Sequence, residues 1–128
     1  MTDAQRLLAL ADAIAAAIPA GESAIVAAIA ATSLATNHES RARPGGAIAM
    51  VTVAIAPGVT LDQWNRAVVA PGQFPPPPQL MSPSNVPPHA WDQLPVYFTY
   101  ARPWGELRCE HAHGDPARRL RTLIIVPR

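Results

Sequence analysis

The chain has 128 residues, the length of one ordinary domain, and 49% of them are hydrophobic, which excludes wholesale disorder. Its formal net charge of +1 excludes a global electrostatic field that would mark it for nucleic acid or a charged membrane. The single cysteine excludes an intramolecular disulfide. All ten basic residues are arginine, and alanine, glycine and proline are abundant, which indicates a GC-rich genome and suggests a bacterial or phage source.

The sequence contains no apolar run of the roughly 20 residues that a membrane-spanning helix needs. Outside the Pro-rich segment described below, its longest stretches without a charged residue are 23–38 and 44–61. Near the N-terminus, Asp3 offsets Arg6 and Asp12 interrupts the apolar run, a pattern that disfavours a secretory signal peptide. We therefore expect a soluble cytoplasmic protein, with a virion component as another possible setting.

Residues 1–37 predict a helical hairpin. Thr2 and Gln5 have the spacing of a capping box, and apolar residues then recur at helical intervals until Pro19. A second helix begins near Gly21 and fades by residue 37. Because the connection is only a few residues long, the two helices are expected to be antiparallel.

A charged link, residues 38–43, leads to a segment, 47–69, that predicts a strand and a short helix. The run 47–56 is β-branched and bounded by glycine and proline, which indicates a strand buried on both faces, with a helix as the alternative. Thr60 and Gln63 have the spacing of a second capping box. The helix that follows would carry one apolar face, formed by Leu61, Trp64 and Val68.

Residues 70–95 hold nine prolines, which excludes a helix or a central strand and favours polyproline II or an irregular arm. Long loops of this kind tend to be functional or disordered. Three interpretations stay open: a connector on the surface, an arm that docks on another subunit, and a segment bound by a proline-recognising domain. The candidate interface residues of this segment are Pro75, Pro76, Pro77, Pro78 and Trp91. A further candidate, Trp104, lies outside it, in a predicted turn between two strands.

Residues 96–126 predict a three-stranded β-meander. Its first turn suits type I geometry with Gly105 as the left-handed residue of a bulge, which would place Thr99 opposite Cys109. With the strand at 47–56, the meander would form a mostly antiparallel sheet of about four strands covered on one face by the helical hairpin. The predicted fold is thus a single α+β domain with a long Pro-rich arm.

The only cysteine lies in the stretch RCEHAHGDP, residues 108–116. Because side chains alternate along a strand, Cys109, His111 and His113 should point to the same side. Zinc takes about four ligands, and Asp115 is a candidate for the fourth. A nucleophilic Cys109 with His111 as its base is disfavoured, because residues two apart on a strand are about 6.6 Å apart and splay outward. The favoured interpretation is a core-facing row that ends in a turn.

Two segments carry a resemblance to a known group of enzymes. Residues 38–50 (HESRARPGGAIAM) and 68–74 (VVAPGQF) resemble lysozyme-like transglycosylases and cell-wall hydrolases. The resemblance implies that Glu39 ends a helix and is the general acid that protonates the glycosidic oxygen. The chain departs from the pattern at Met50-Val51, where transglycosylases have Met-Gln, and no later stretch supplies a paired carboxylate.

Positive charge is concentrated near the last strand, in Arg118, Arg119 and Arg121. Phosphate contacts are chemically possible there. No recognition helix or aromatic platform accompanies these arginines, so protection of a strand edge is the favoured interpretation and nucleic acid is not expected as a partner.

The sequence contains no convincing catalytic set, but it has a long Pro-rich arm and strand edges on a thin, alanine-rich core. It therefore predicts a non-enzymatic structural or accessory protein that acts through protein–protein association, as a subunit of a homo-oligomer or of a larger assembly. The alternatives are a peptidoglycan hydrolase that uses Glu39 and a zinc-binding protein that uses the Cys109 stretch. No cofactor, membrane or small-molecule substrate is expected under the favoured reading.

Overall fold

The computed structural model describes residues 1–80 and 85–128. In these residues three α-helices lie on one face of a six-stranded antiparallel sheet, so the α+β prediction is confirmed. The helices are α1 (Asp3–Ala17), α2 (Glu22–Ala30) and α3 (Leu61–Val68). The strands are β1 (Ala35–Ala42), β2 (Ile48–Ile55), β3 (Gln79–Leu80), β4 (Pro95–Arg102), β5 (Gly105–Ala112) and β6 (Leu120–Pro127), in the spatial order β1-β2-β6-β5-β4-β3. No helix in this part of the chain has the length and apolar character required to cross a bilayer.

Both predicted capping boxes are present. The backbone amide of Gln5 donates to Thr2 Oγ1 at 3.1 Å, and the amide of Thr2 donates back to the Gln5 side chain at 2.8 Å. Thr60 and Gln63 repeat the arrangement at the start of α3. Reciprocal bonds of this kind satisfy amides that have no partner within the helix, which is why these two helices begin where the sequence predicts.

The second helix is shorter than predicted. It ends at Ala30, and residues Ala35–Ala42 form β1 instead of a helix end and a charged link. This strand pairs with β2 through a turn in which Gly45 and Gly46 take φ values of 99° and 96°. Glycine adopts such φ values without steric cost, so the Pro-Gly-Gly sequence can form the turn of a hairpin. The polar segment before the turn is extended because it pairs with the apolar strand β2.

The expectation of about four strands was therefore wrong. The two additional strands are those at the sheet edges, β1 and the two-residue β3, which pairs with β4. The strand β3 lies inside the Pro-rich arm, and a 3₁₀ helix, Pro88–Gln93, follows it. A short edge strand is the kind of strand that a Pro-rich segment can supply, because its outer amides need no partner.

The register of the β4–β5 hairpin differs by one residue from the prediction. Arg102 pairs with Gly105 across a two-residue connection, so that Phe98, and not Thr99, lies opposite Cys109. Gly105 has a φ of 149° and takes part in the ladder, whereas the sequence-based hypothesis made it an unpaired bulge residue. The shift brings large apolar side chains of β4 to the same face as Cys109.

The hydrophobic core lies between the helices and one face of the sheet. The helix α1 contributes Leu7 and Ile14, α2 contributes Ile25, and α3 contributes Trp64, all of which are buried. The strands contribute residues that alternate along each strand, except at the irregularity between Leu120 and Leu123, and these residues are Val51, Val53, Ile55, Val96, Phe98, Tyr100, Leu107, Cys109, Leu120, Leu123 and Ile125.

The sequence predicted that β2 would be buried on both faces. In the structure only one of its faces is fully buried within the described residues. Val51 and Val53 are fully buried beneath the helices. Met50, Thr52 and Ala54, which point the other way, are only partly buried. The helices cover one face of this apolar strand and leave the other face partly exposed.

Candidate functional site

Cys109 is fully buried in the centre of β5, on the face that the helices cover. Burial raises the pKa of its thiol to about 12. Burial also raises the pKa of the neighbouring Tyr100, whose hydroxyl donates a hydrogen bond to Asn65 Oδ1. A thiol in this setting stays protonated at neutral pH, which is the opposite of what a cysteine nucleophile needs.

We therefore expect Cys109 to be inert in the folded protein. At pH 8 an aromatic disulfide reagent should leave the native protein unlabelled over minutes, whereas the same protein in urea should release one equivalent of the reporter thiolate. Rapid stoichiometric labelling of the native protein would contradict this placement and would revive the nucleophile hypothesis.

The other members of the predicted metal site have separate structural roles. His111 is buried, with Nδ1 2.8 Å from the Ala112 carbonyl oxygen and its ring stacked on Phe98 at a centroid distance of 5.8 Å. His113 is exposed beyond the end of β5. Asp115 accepts hydrogen bonds from the Arg119 amide and side chain and so holds the following turn. Within residues 1–80 and 85–128 no three His, Cys, Asp or Glu side chains come together as potential metal ligands.

Glu39 does not have the setting that the enzyme resemblance implies. It lies in the edge strand β1 and not at the end of a helix, because the segment around it pairs with β2. Its side chain is 71% exposed and 3.7 Å from the Arg41 guanidinium. An exposed carboxylate beside a cation lacks the apolar surroundings of a glycosidase general acid.

Each of the three clustered arginines has a carboxylate partner. The closest N–O distances are 3.8 Å between Arg118 and Asp62, 3.2 Å between Arg119 and Asp115, and 3.0 Å between Arg121 and Glu110. Nearby acids therefore offset the positive charge that the sequence concentrates near β6. The arrangement favours the interpretation in which these arginines stabilise local turns and strands.

Trp104, at the tip of the β4–β5 hairpin, packs back against the core. Its Nε1 donates to Asp12 Oδ1 at 2.9 Å, and the Arg102 guanidinium lies 3.3 Å from the same carboxylate. Asp12 thus fastens the hairpin tip to α1. Among the other candidate interface residues, Pro75, Pro77 and Pro78 are exposed, Pro76 is partly buried, and Trp91 is 43% exposed.

A polar contact that the sequence analysis missed joins α2 to β1. His38 Nε2 lies 2.7 Å from Glu22 Oε1, and the Ser40 hydroxyl lies on the same side of β1 as His38. Ser40 and His38 hold the pKa of the Glu22 carboxyl below its ordinary value of 4.5. Ser40 Oγ is buried and forms no hydrogen bond of standard geometry within the described part of the chain. Sequence spacing gave no signal for this contact, because it depends on β1 being a strand.

This contact predicts a pH dependence. Since the folded-state pKa of Glu22 is below 4.5, its contribution to stability is present above that pH and is lost as the pH falls through the folded-state pKa. We expect the difference in unfolding free energy between wild type and Glu22→Gln to shrink as the pH falls below 4.5, measured by urea unfolding at several pH values. A difference that stays constant between pH 7 and pH 3 would show that the carboxylate does not stabilise the α2–β1 contact.

The side chains of the strands that point away from the helices form the other face of the sheet. We call this face the open face. It is defined by the residues of two neighbouring rows across β1, β2, β6 and β5. The first row consists of Glu39, Thr52, Ile124 and Arg108. The second row combines the pair of Arg41 and Met50 with the pair of Val126 and Glu106, which lie one residue beyond the paired Val51 and Ile125 of β2 and β6.

The open face has an apolar centre and charged sides. Met50, Ile124 and Val126 are partly exposed in its middle strands. Glu39 and Arg41 are on one side, and Glu106 and Arg108 are on the other, where a guanidinium nitrogen and a carboxylate oxygen of the second pair lie 2.9 Å apart. An apolar strip bordered by charges has the composition of a protein interface, with its dry centre and polar rim.

Comparison of this chain with protein families, curated proteins and solved structures found no match.

Proposed function

We propose that this chain is a structural or accessory protein that acts by protein–protein association, as a subunit of a homo-oligomer or of a larger assembly. The observation that supports this function best is the apolar centre of the open face. Met50, Ile124 and Val126 are neighbours on two central strands, on the face that the three helices leave uncovered. Large side chains of this type in the middle of a sheet favour burial, by about 25 cal/mol for each Å² removed from water.

The sequence of β2 supports the same conclusion. A strand that is apolar on both alternating faces is typical of strands that are covered on both sides. Within residues 1–80 and 85–128, helices cover only the face with Val51 and Val53. A protein partner on the face with Met50 would cover the apolar side of β2 that the helices do not cover.

The test of this proposal is the molar mass of the purified protein in solution. Light scattering over a range of concentrations should give a mass that rises to a multiple of the 13.6 kDa chain mass, or a stable complex with a co-purifying subunit. A rigid monomer at every concentration, with no co-purifying chain, would contradict the proposed function. A murein-clearing assay tests the hydrolase alternative in parallel, and clearing that is lost in Glu39→Gln would replace the present proposal.

A further inference from the structure

We infer that the partner is a second copy of this chain, packed face to face on the open face about a two-fold axis that runs parallel to the strands between β2 and β6. This inference rests on the proposed function and specifies its partner and contact surface. Two antiparallel sheets packed with nearly aligned strands form the core of β-sandwiches, so the resulting dimer would be a sandwich with helices on both outer faces.

The distribution of charge on the open face supports this choice of partner. Each of the two rows has charges of opposite sign at its ends: Glu39 and Arg108 in the first row, Arg41 and Glu106 in the second. All four side chains are at least 40% exposed. Within each row the charge on one side of the face has the opposite sign to the charge on the other side. A two-fold axis brings these two sides together, so opposite charges meet across the dimer.

The symmetry operation shows why the pattern is self-complementary. Rotation about the stated axis exchanges β1 with β5 and β2 with β6, and it leaves the order of the rows unchanged. Glu39 then lies over Arg108 of the partner subunit, and Arg41 lies over Glu106 of the partner subunit. By symmetry the dimer contains each of these ion pairs twice, at the border of the contact.

The same operation closes the apolar centre. Met50 would meet Val126 of the partner subunit, and Thr52 would meet Ile124 of the partner subunit. Four strands of eight residues cover roughly 500 Å² in projection, from a spacing of about 4.8 Å and a rise of about 3.4 Å per residue. The two faces together therefore bury about 1,000 Å², which is the size at which specific interfaces begin.

The edge of the sheet offers a second arrangement of two copies, which the test below must distinguish from the face-to-face dimer. The strand β1 is an edge strand of eight residues, and its outer backbone groups are available for pairing with another strand. Antiparallel pairing of two β1 strands about Ser40 would place Glu39 opposite Arg41 of the partner subunit. This edge arrangement does not involve Glu106 or Arg108.

Charge exchange within one strand discriminates between the two arrangements. The double variant Glu39→Arg plus Arg41→Glu keeps the net charge and keeps an acid next to an arginine in β1. We therefore expect the fold and stability of the monomer to be unchanged. In the face-to-face dimer it creates like-charge contacts with Arg108 and Glu106 of the partner subunit. In the edge arrangement the exchanged charges still face their opposites, and association is unchanged.

The experiment measures the dimerisation constant by sedimentation equilibrium for wild type and three variants, with far-UV circular dichroism as the control for folding. The β1 exchange and the matched β5 exchange, Glu106→Arg plus Arg108→Glu, should each weaken the dimer at least about tenfold, since several rim ion pairs become repulsive. The fourfold variant that combines both exchanges should recover wild-type affinity. The β5 exchange keeps the test decisive if the β1 exchange impairs folding of the edge strand.

The outcomes separate the inference from the proposed function. A multimer whose affinity is unchanged by either exchange would overturn the face-to-face dimer and leave association as the function. Loss of affinity in each exchange without recovery in the fourfold variant would also overturn the two-fold pairing. A wild-type protein that stays monomeric, with no other subunit bound, would overturn both.

Discussion

Replacement of Trp64 by alanine is expected to lower the free energy of unfolding by about 3–5 kcal/mol, the usual cost of truncating a large buried aromatic residue. Trp64 is fully buried on α3, and its ring meets Tyr100 edge-on at a centroid distance of 6.2 Å. The substitution leaves a cavity where α3 meets the sheet, and the surrounding core can close it only in part. Urea unfolding followed by far-UV circular dichroism measures the loss.

Trp64→Phe is the matched control. The indole Nε1 is buried and has no hydrogen-bond partner among the described residues, so its removal sacrifices no bond and eliminates an unsatisfied donor. We therefore expect Trp64→Phe to cost about half as much as Trp64→Ala, or less. An equal loss in both variants would mean that the indole nitrogen, and not the volume of the ring, stabilises the core.

Gly105→Ala is expected to be the second most damaging change, with a loss of about 2–5 kcal/mol from backbone strain and overpacking together. Gly105 has a φ of 149°, and a β-carbon at this position would lie 2.2 Å from the Val126 carbonyl oxygen. The clashing atom belongs to the backbone of the neighbouring central strand, so relief requires β5 and β6 to separate. Thermal and urea unfolding should both record the loss.

Gly58→Ala separates the two causes. Gly58 has a similar φ of 136°, but no atom of the residues that the structure describes would lie within 4 Å of a β-carbon there. This variant should therefore show the cost of the backbone conformation alone, which we expect to be about 1–3 kcal/mol. If Gly105→Ala were no worse than Gly58→Ala, the close approach of β5 to β6 would not be a constraint on the fold.

The parts of the fold that were predicted correctly are those set by residues close in sequence. Capping boxes involve residues three apart, so Thr2 with Gln5 and Thr60 with Gln63 could be recognised directly, and both helices begin there. The meander was also recognisable, because β-branched and aromatic runs alternate with turn residues around Gly105.

The strand β1 could not be recognised in the same way. Its sequence, ATNHESRA, is polar because it forms a sheet edge, and only its pairing with β2 makes it a strand. The available signal was the Pro44-Gly45-Gly46 turn immediately before an apolar strand, which is a hairpin pattern. Missing that strand also placed Glu39 at the end of a helix and concealed the contact between His38 and Glu22.

The alternation of side chains along β5 was not sufficient to identify the role of Cys109. The sequence correctly placed Cys109 and His111 on one face of β5, and both are buried there. Whether that face held a metal, a reactive thiol or the core depended on what lay opposite, and a one-residue difference in register changed that neighbour from Thr99 to Phe98. Register is a property of two strands, and a single strand does not determine it.

The open face could be predicted only in outline. The sequence indicated that β2 is apolar on both sides, but it did not reveal that all three helices lie on the same face. Nor could it reveal the charge pattern, because Glu39 and Arg108 are 69 positions apart and share a row only through two intervening strands.

The most direct test of association through the open face is the rate at which peroxide oxidises Met50, measured by mass spectrometry of peptides at low and high protein concentration. Met1, which is 83% exposed and distant from the sheet in sequence, provides an internal reference in the same sample. Burial of the open face predicts that oxidation of Met50 slows relative to that of Met1 as the protein associates. An unchanged ratio in a sample whose molar mass has doubled would contradict association through the open face.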